Sequence, residues 1–91
     1  MYIIVAYDIV DNRKRTRVAK MLTSYGNRVQ KSVFECRIDD KQYLKLRGNI
    51  KKIIDHEEDS VRYYTLCSRC MGNIEISGWG TVNEDEDVII V

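Results

Sequence analysis

Asp8 closes an apolar run, and nine positions later four basic residues, Arg13, Lys14, Arg15 and Arg17, have passed. A carboxylate at the end of a strand, on an otherwise apolar sheet face, needs a partner or a metal. The plainer reading is that Asp8 caps the turn that follows. Mg²⁺ usually takes one or two carboxylates and keeps several waters, so a second Asp8 across a two-fold axis would complete a site. The basic residues open the next helix, where positive charge opposes the helix dipole. That local cost suggests a use, and phosphate is the natural ligand for guanidinium forks. Arg28 and Lys31 extend the set onto the following strand. There Gln30, Ser32 and Phe34 share one face, and Phe34 reads as core.

The near-neutral total charge of +1 hides a partition. Residues 11–52 hold thirteen Lys or Arg against four Asp or Glu, and residues 53–91 hold two against nine. Two solvated faces would account for this. A basic surface for a polyanion accounts for it more specifically.

Other reactive residues carry less. Cys67-Ser68-Arg69-Cys70 is a lone CxxC, and structural zinc needs four ligands. Cys36 and His56 could be added to it, but no spacing favours that. A redox pair would need a helix after the motif, which "MGNIEI" does not resemble. Three cysteines are too few for a disulfide framework. His56, in "DHEED", reads as a solvated loop residue, and Trp79, between two glycines, as the closure of a core edge.

The elements that must position these groups follow from hydrophobic periodicity. Strand 1–9 puts Ile3, Val5 and Tyr7 on one face and Ile4, Ala6 and Asp8 on the other. Asp11 or Asn12 can cap a helix whose stripe is Val18, Met21, Leu22 and Tyr25. Gly26 is expected to end that helix in a left-handed conformation. The alternating run 28–38 reads as one long strand. Asp39 or Asp40 caps a second helix to about Asp55, with Tyr43, Leu46, Ile50, Ile53 and Ile54 as its stripe and a break allowed at Gly48. Residues 60–67 and 73–77 read as strands, followed by "NEDED" and "VIIV".

These elements match the α+β, ferredoxin-like β-α-β-β-α-β plan: an antiparallel sheet with both helices on one face. The domain is expected over 1–80, with an acidic spacer and a dimerisation strand over 81–91. A 91-residue chain buries only about 60–65% of its unfolded surface, so it gains from a partner. The open sheet face and the apolar tail both point to a homodimer, the tail adding as a strand to the partner's sheet. The apolar start meets Asp8 at once and reads as a strand rather than a secretory segment. No run approaches the roughly 18 apolar residues of a membrane span, so a cytoplasmic protein is expected.

The "YIIVAYDI" strand, the basic helix start, the run "LTSYGNRVQKSVFE" and the acidic-then-apolar tail resemble the small CRISPR-associated family called Cas-two. The likeness is specific over residues 2–35, where Tyr7-Asp8, Arg15-x-Arg17 and Gly26-x-Arg28-x-Gln30-x-Ser32-Val33-Phe34 fall in the family's order. It is loose in the second helix, and the CxxC is not a family feature. The resemblance implies a ferredoxin-like homodimer whose two strand-end aspartates hold one Mg²⁺ or Mn²⁺. It implies a metal-dependent endonuclease acting on RNA or DNA in spacer acquisition, the step that stores antiviral memory. The alternative it carries is a non-catalytic, duplex-DNA-binding bridge within the CRISPR integrase. By position the catalytic and metal-binding residue is Asp8. The phosphate-binding residues are Arg15, Arg17 and Arg28, with Arg13 added on charge alone, and the supporting residues are Tyr7, Ser32 and Phe34.

A third class shares the topology: a sheet-face RNA binder that stacks bases on strand aromatics. Tyr63 and Tyr64 are present, but the glycine-aromatic signature of such strands is not.

Overall fold

The computed structural model of the chain describes residues 1–66. Six elements follow in order: β1 (Tyr2–Asp8), α1 (Asn12–Thr23), β2 (Gly26–Gln30), β3 (Val33–Arg37), α2 (Asp40–Ile53) and β4 (Ser60–Leu66). The strands form one antiparallel sheet in the order β2-β3-β1-β4. The β-α-β-β-α-β plan is therefore present, with its strands distributed differently from expectation. The run 28–38 is a hairpin turning at Lys31-Ser32, and residues 60–66 are the last strand of the plan. The segment 73–77, Cys67, Cys70, Trp79 and residues 81–91 lie outside the described residues.

The helix starts obey their capping residues. The Asp11 carboxylate accepts from the Lys14 N–H at 2.9 Å. Asp39 accepts from the Gln42 N–H at 2.7 Å while the Gln42 side chain accepts from the Asp39 N–H at 3.0 Å, a reciprocal capping box. α2 runs unbroken through Gly48, which is exposed, and ends at Ile53 rather than Asp55.

Gly26 does not end α1. That helix stops at Thr23 with Ser24 as its right-handed C-cap, and Gly26 opens β2 opposite Cys36. Its lack of a side chain serves close approach instead. A Cβ there would run into the Glu35 carbonyl oxygen and lie 2.8 Å from Cys36 Sγ.

One sheet face packs on the helices. Ile3, Val5 and Tyr7 of β1 and Phe34 and Cys36 of β3 meet Val18 and Leu22 of α1 and Leu46 and Ile50 of α2. Losing any one large member of this core to Ala costs about 2–5 kcal/mol. The same burial pushes the Cys36 thiol up to about 11, with the neighbouring Glu35 carboxylate adding to the shift.

The opposite face carries no described helix, yet it is not open along its whole length. Tyr2 and Glu35 are buried on it, whereas Asp8, Ser60 and Arg62 towards the end of β1, and Tyr64 opposite Ile4, are exposed.

Candidate functional site

Asp8 is the last residue of β1, paired with Ser60 across the β1–β4 ladder. Strand alternation turns its side chain to the face away from the helices, beside Ala6 and Arg62, where it is exposed. It has no hydrogen-bond or ion-pair partner among the described residues. No group of three or more His, Cys, Asp or Glu that could cage an ion exists among them. A single exposed, unpartnered carboxylate is a hard oxygen donor. It fits Mg²⁺ or Mn²⁺ as one of two carboxylates in a largely water-filled shell.

Tyr7 points the other way, and the structure gathers three expected residues around it. The Tyr7 ring stacks on Phe34 with centroids 6.3 Å apart. The Arg28 guanidinium lies 5.2 Å above the Phe34 ring and donates to the Tyr7 hydroxyl at 3.4 Å. That hydroxyl in turn donates to the Lys31 carbonyl oxygen at 3.4 Å. Ser32 contributes its backbone, its carbonyl accepting from the Tyr7 N–H at 3.0 Å.

A bulge sets this arrangement. Gln30 pairs with Val33 and Arg28 with Phe34, so Val29 is the extra residue. A regular ladder continuing from the Gln30–Val33 pair would set Arg28 opposite Glu35, on the other face. One inserted residue moves it over Phe34. Arg28 therefore lines a cleft of about 400 Å³ between α1 and the hairpin, together with Tyr7, Arg15, Lys20 and Lys31.

The α1 arginines divide. Arg15 turns back on the β1–α1 connection, donating to the Ile9 carbonyl at 2.9 Å and to Asn12 Oδ1 at 2.7 Å. Part of its donor capacity thus holds the turn after Asp8. Arg13 and Arg17, four residues apart on one helix face, are exposed. Asp8 and Arg28 leave the sheet on opposite faces, so the acid and the cleft do not form one pocket within a single chain.

Sequence reasoning missed two residues. Lys20 lines the cleft because it lies one turn beyond Thr16, which also lines it. Asp59 sits in the acidic loop yet reaches back to β1. It accepts from the Val10 N–H at 2.9 Å through Oδ1 and from the Asp55 N–H at 2.8 Å through Oδ2. The bonds from Asp55 and Val10, with some help from Lys14, hold its carboxyl below the usual range. His56 is exposed, its Nε2 3.2 Å from the Lys51 carbonyl oxygen, as expected of a loop residue.

The family model of CRISPR associated protein Cas2 matches residues 1–74. The chain belongs to the Cas2 family. It is 40% identical to the CRISPR-associated endoribonuclease Cas2 1 of Chloroflexus aurantiacus, with both chains covered completely. It is 38% identical to the CRISPR-associated endonuclease Cas2 2 of Thermus thermophilus, over 96% of this chain and 92% of that one. Among solved structures, Streptococcus pyogenes Cas2 superimposes with a TM-score of 0.78 at 32% identity, covering 86% of this chain and 100% of its own. A chain of a partial Cas6-RT-Cas1–Cas2 complex superimposes with a TM-score of 0.73 at 26% identity, covering 82% and 88%. These Cas2 likenesses match the family and ferredoxin-like fold expected from residues 2–35 and the order of elements.

Proposed function

We propose that the chain is a Cas2 endonuclease of the spacer-acquisition step, acting in the cytoplasm as a homodimer on RNA or DNA phosphodiesters. The carrying observation is Asp8: an exposed carboxylate at a strand end, without a partner among the described residues, on the sheet face that no described helix covers. The names of the Chloroflexus and Thermus relatives support nuclease chemistry.

Asp8 of one chain and Asp8 of its partner would hold Mg²⁺ or Mn²⁺. Such an ion, when bound, supplies charge neutralisation at a phosphodiester and acidifies water. The chain's own residues do the rest. Arg13 and Arg17 on the exposed helix face, and Arg28 with Lys20 and Lys31 in the cleft, neutralise backbone phosphates and hold the strand. Arg15 keeps the turn after Asp8 in place through Ile9 and Asn12. Tyr7 and Phe34 seat the Arg28 guanidinium. No imidazole stands beside Asp8, since His56, the chain's one histidine, lies against Lys51. Asp8 itself could accept a proton from an attacking water.

A second reading is a DNA-binding bridge between integrase subunits. The likeness to a chain of the Cas1–Cas2 complex favours it, as does the placement of the Arg28 cleft on the face away from Asp8. Asp8→Asn, assayed in parallel for cleavage and for spacer acquisition in cells, separates the two. Loss of cleavage and of acquisition supports the enzyme. Loss of cleavage with acquisition intact makes the bridge the working role.

A further inference from the structure

The loop between α2 and β4 reads as a solvated acidic connection, but it is closed by its own hydrogen bonds. The Asp59 N–H donates to the Asp55 carbonyl at 2.8 Å, Asp59 Oδ2 accepts from the Asp55 N–H at 2.8 Å, and Asp55 Oδ1 accepts from the Glu57 N–H at 2.8 Å. From this rigid base the second Asp59 oxygen crosses to the Val10 N–H, 49 positions earlier in the chain. Val10 is two residues after Asp8. Its side chain is 64% exposed, so core packing, which reaches Ile9, stops short of it. Beyond the buried Ile9 side chain, the backbone is held by the bond from Asp59 to the Val10 N–H and by the Arg15 bond to the Ile9 carbonyl. On the other side Asp8 is fixed by its pairing with Ser60, the residue after Asp59. The strand end that carries Asp8 is thus clamped from both sides by one two-residue segment.

We infer that Asp59 is a positioning residue for Asp8: its carboxylate fixes the backbone after β1 so that Asp8 is presented in one orientation to a divalent cation. The inference rests on the reading of Asp8 as the metal ligand. Groups that orient a metal ligand are worth about 10–100-fold in metal affinity, and one acting through two backbone residues belongs at the low end.

The test uses the full 91-residue chain and Mn²⁺ alone, without nucleic acid, with binding read by electron paramagnetic resonance. Asp59→Ala should weaken Mn²⁺ binding about 10-fold and speed hydrogen exchange at the Val10 amide. Asp59→Asn keeps one oxygen acceptor for the two donors and should fall between Asp59→Ala and the native protein. It also serves if the alanine variant does not fold. Asp55→Ala loosens the same loop without touching the Val10 bond. It should lower thermal stability yet leave Mn²⁺ affinity unchanged. If both Asp59 variants bind Mn²⁺ as the native chain does, while Asp8→Asn does not bind it, the positioning role is wrong and the Asp8 site stands. If Asp55→Ala weakens Mn²⁺ binding as much as Asp59→Ala, the effect is general loop stability and the inference is also wrong. If Asp8→Asn leaves Mn²⁺ binding intact, the metal reading fails and takes the inference with it.

Discussion

Replacing Arg28 separates the electrostatic role of the cleft from its packing. The Arg28 guanidinium is exposed, 5.2 Å above the Phe34 ring and at the long end of hydrogen-bond distance from the Tyr7 hydroxyl. A cation–π contact at an exposed site is worth about 0.5–1 kcal/mol, and a bond at that distance adds little. Arg28→Ala should therefore cost about 1 kcal/mol of stability, a fall of about 4–8 °C in melting temperature for a domain of this size. Its effect on nucleic-acid binding should be of another kind. Each phosphate contact contributes about 0.9 to the slope of log affinity against log salt for duplex DNA. Losing one contact should flatten the slope by that amount. Over a rise from about 50 to about 200 mM salt, the variant's affinity should drop about 3.5-fold less than the native protein's. Fluorescence anisotropy with labelled duplexes of two unrelated sequences reads both the slope and its independence of sequence. Arg28→Lys keeps the charge and should keep the slope. An unchanged slope in Arg28→Ala would refute the phosphate contact. An equal loss of slope in Arg28→Lys would show that Arg28 acts through its stacking on Phe34.

Gly26→Ala places a Cβ against the Glu35 carbonyl oxygen and Cys36, so it should destabilise the hairpin by about 1–3 kcal/mol, read from the denaturant midpoint. Asp59 has a folded pKa below its ordinary 3.8, so its stabilisation is full above that value and lost as pH falls through the folded one. Between about pH 5 and about pH 2 the native protein should lose more stability than Asp59→Asn, and parallel pH curves would contradict this. Deleting residues 84–91, which include the apolar "VIIV", should weaken the proposed dimer in sedimentation experiments, and an undiminished dimer would count against strand exchange.

Much of the fold was legible because several local signals agreed. Each cap lay between two neighbours, Asp11 or Asn12 and Asp39 or Asp40, and the apolar alternation of Ile3, Val5 and Tyr7 and the stripes through Leu22 and Leu46 each have one physical reading. The hairpin did not, because "QKSV" holds none of the glycine, asparagine or proline residues that mark a tight turn. Its two strands then read as one continuous alternating run. Gly26 was visible as a special position, but its reason was close approach to β3 rather than a left-handed helix end.

Within the site, the parity of Tyr7 and Asp8 was readable, since neighbours on a strand face opposite ways. The side taken by Arg28 was not. It depends on the bulge at Val29, a two-against-one pairing with no sequence signature here. Asp59 was hidden among five consecutive polar residues, 55–59, and only the fold brings it to Val10.

The central claim is that two Asp8 carboxylates, one from each chain, share a single divalent cation. Mn²⁺ titration of the purified dimer, followed by calorimetry, measures the stoichiometry directly. One ion should bind for every two chains, and none in Asp8→Asn although that variant remains dimeric. One ion per chain, or an unchanged stoichiometry in Asp8→Asn, would contradict it.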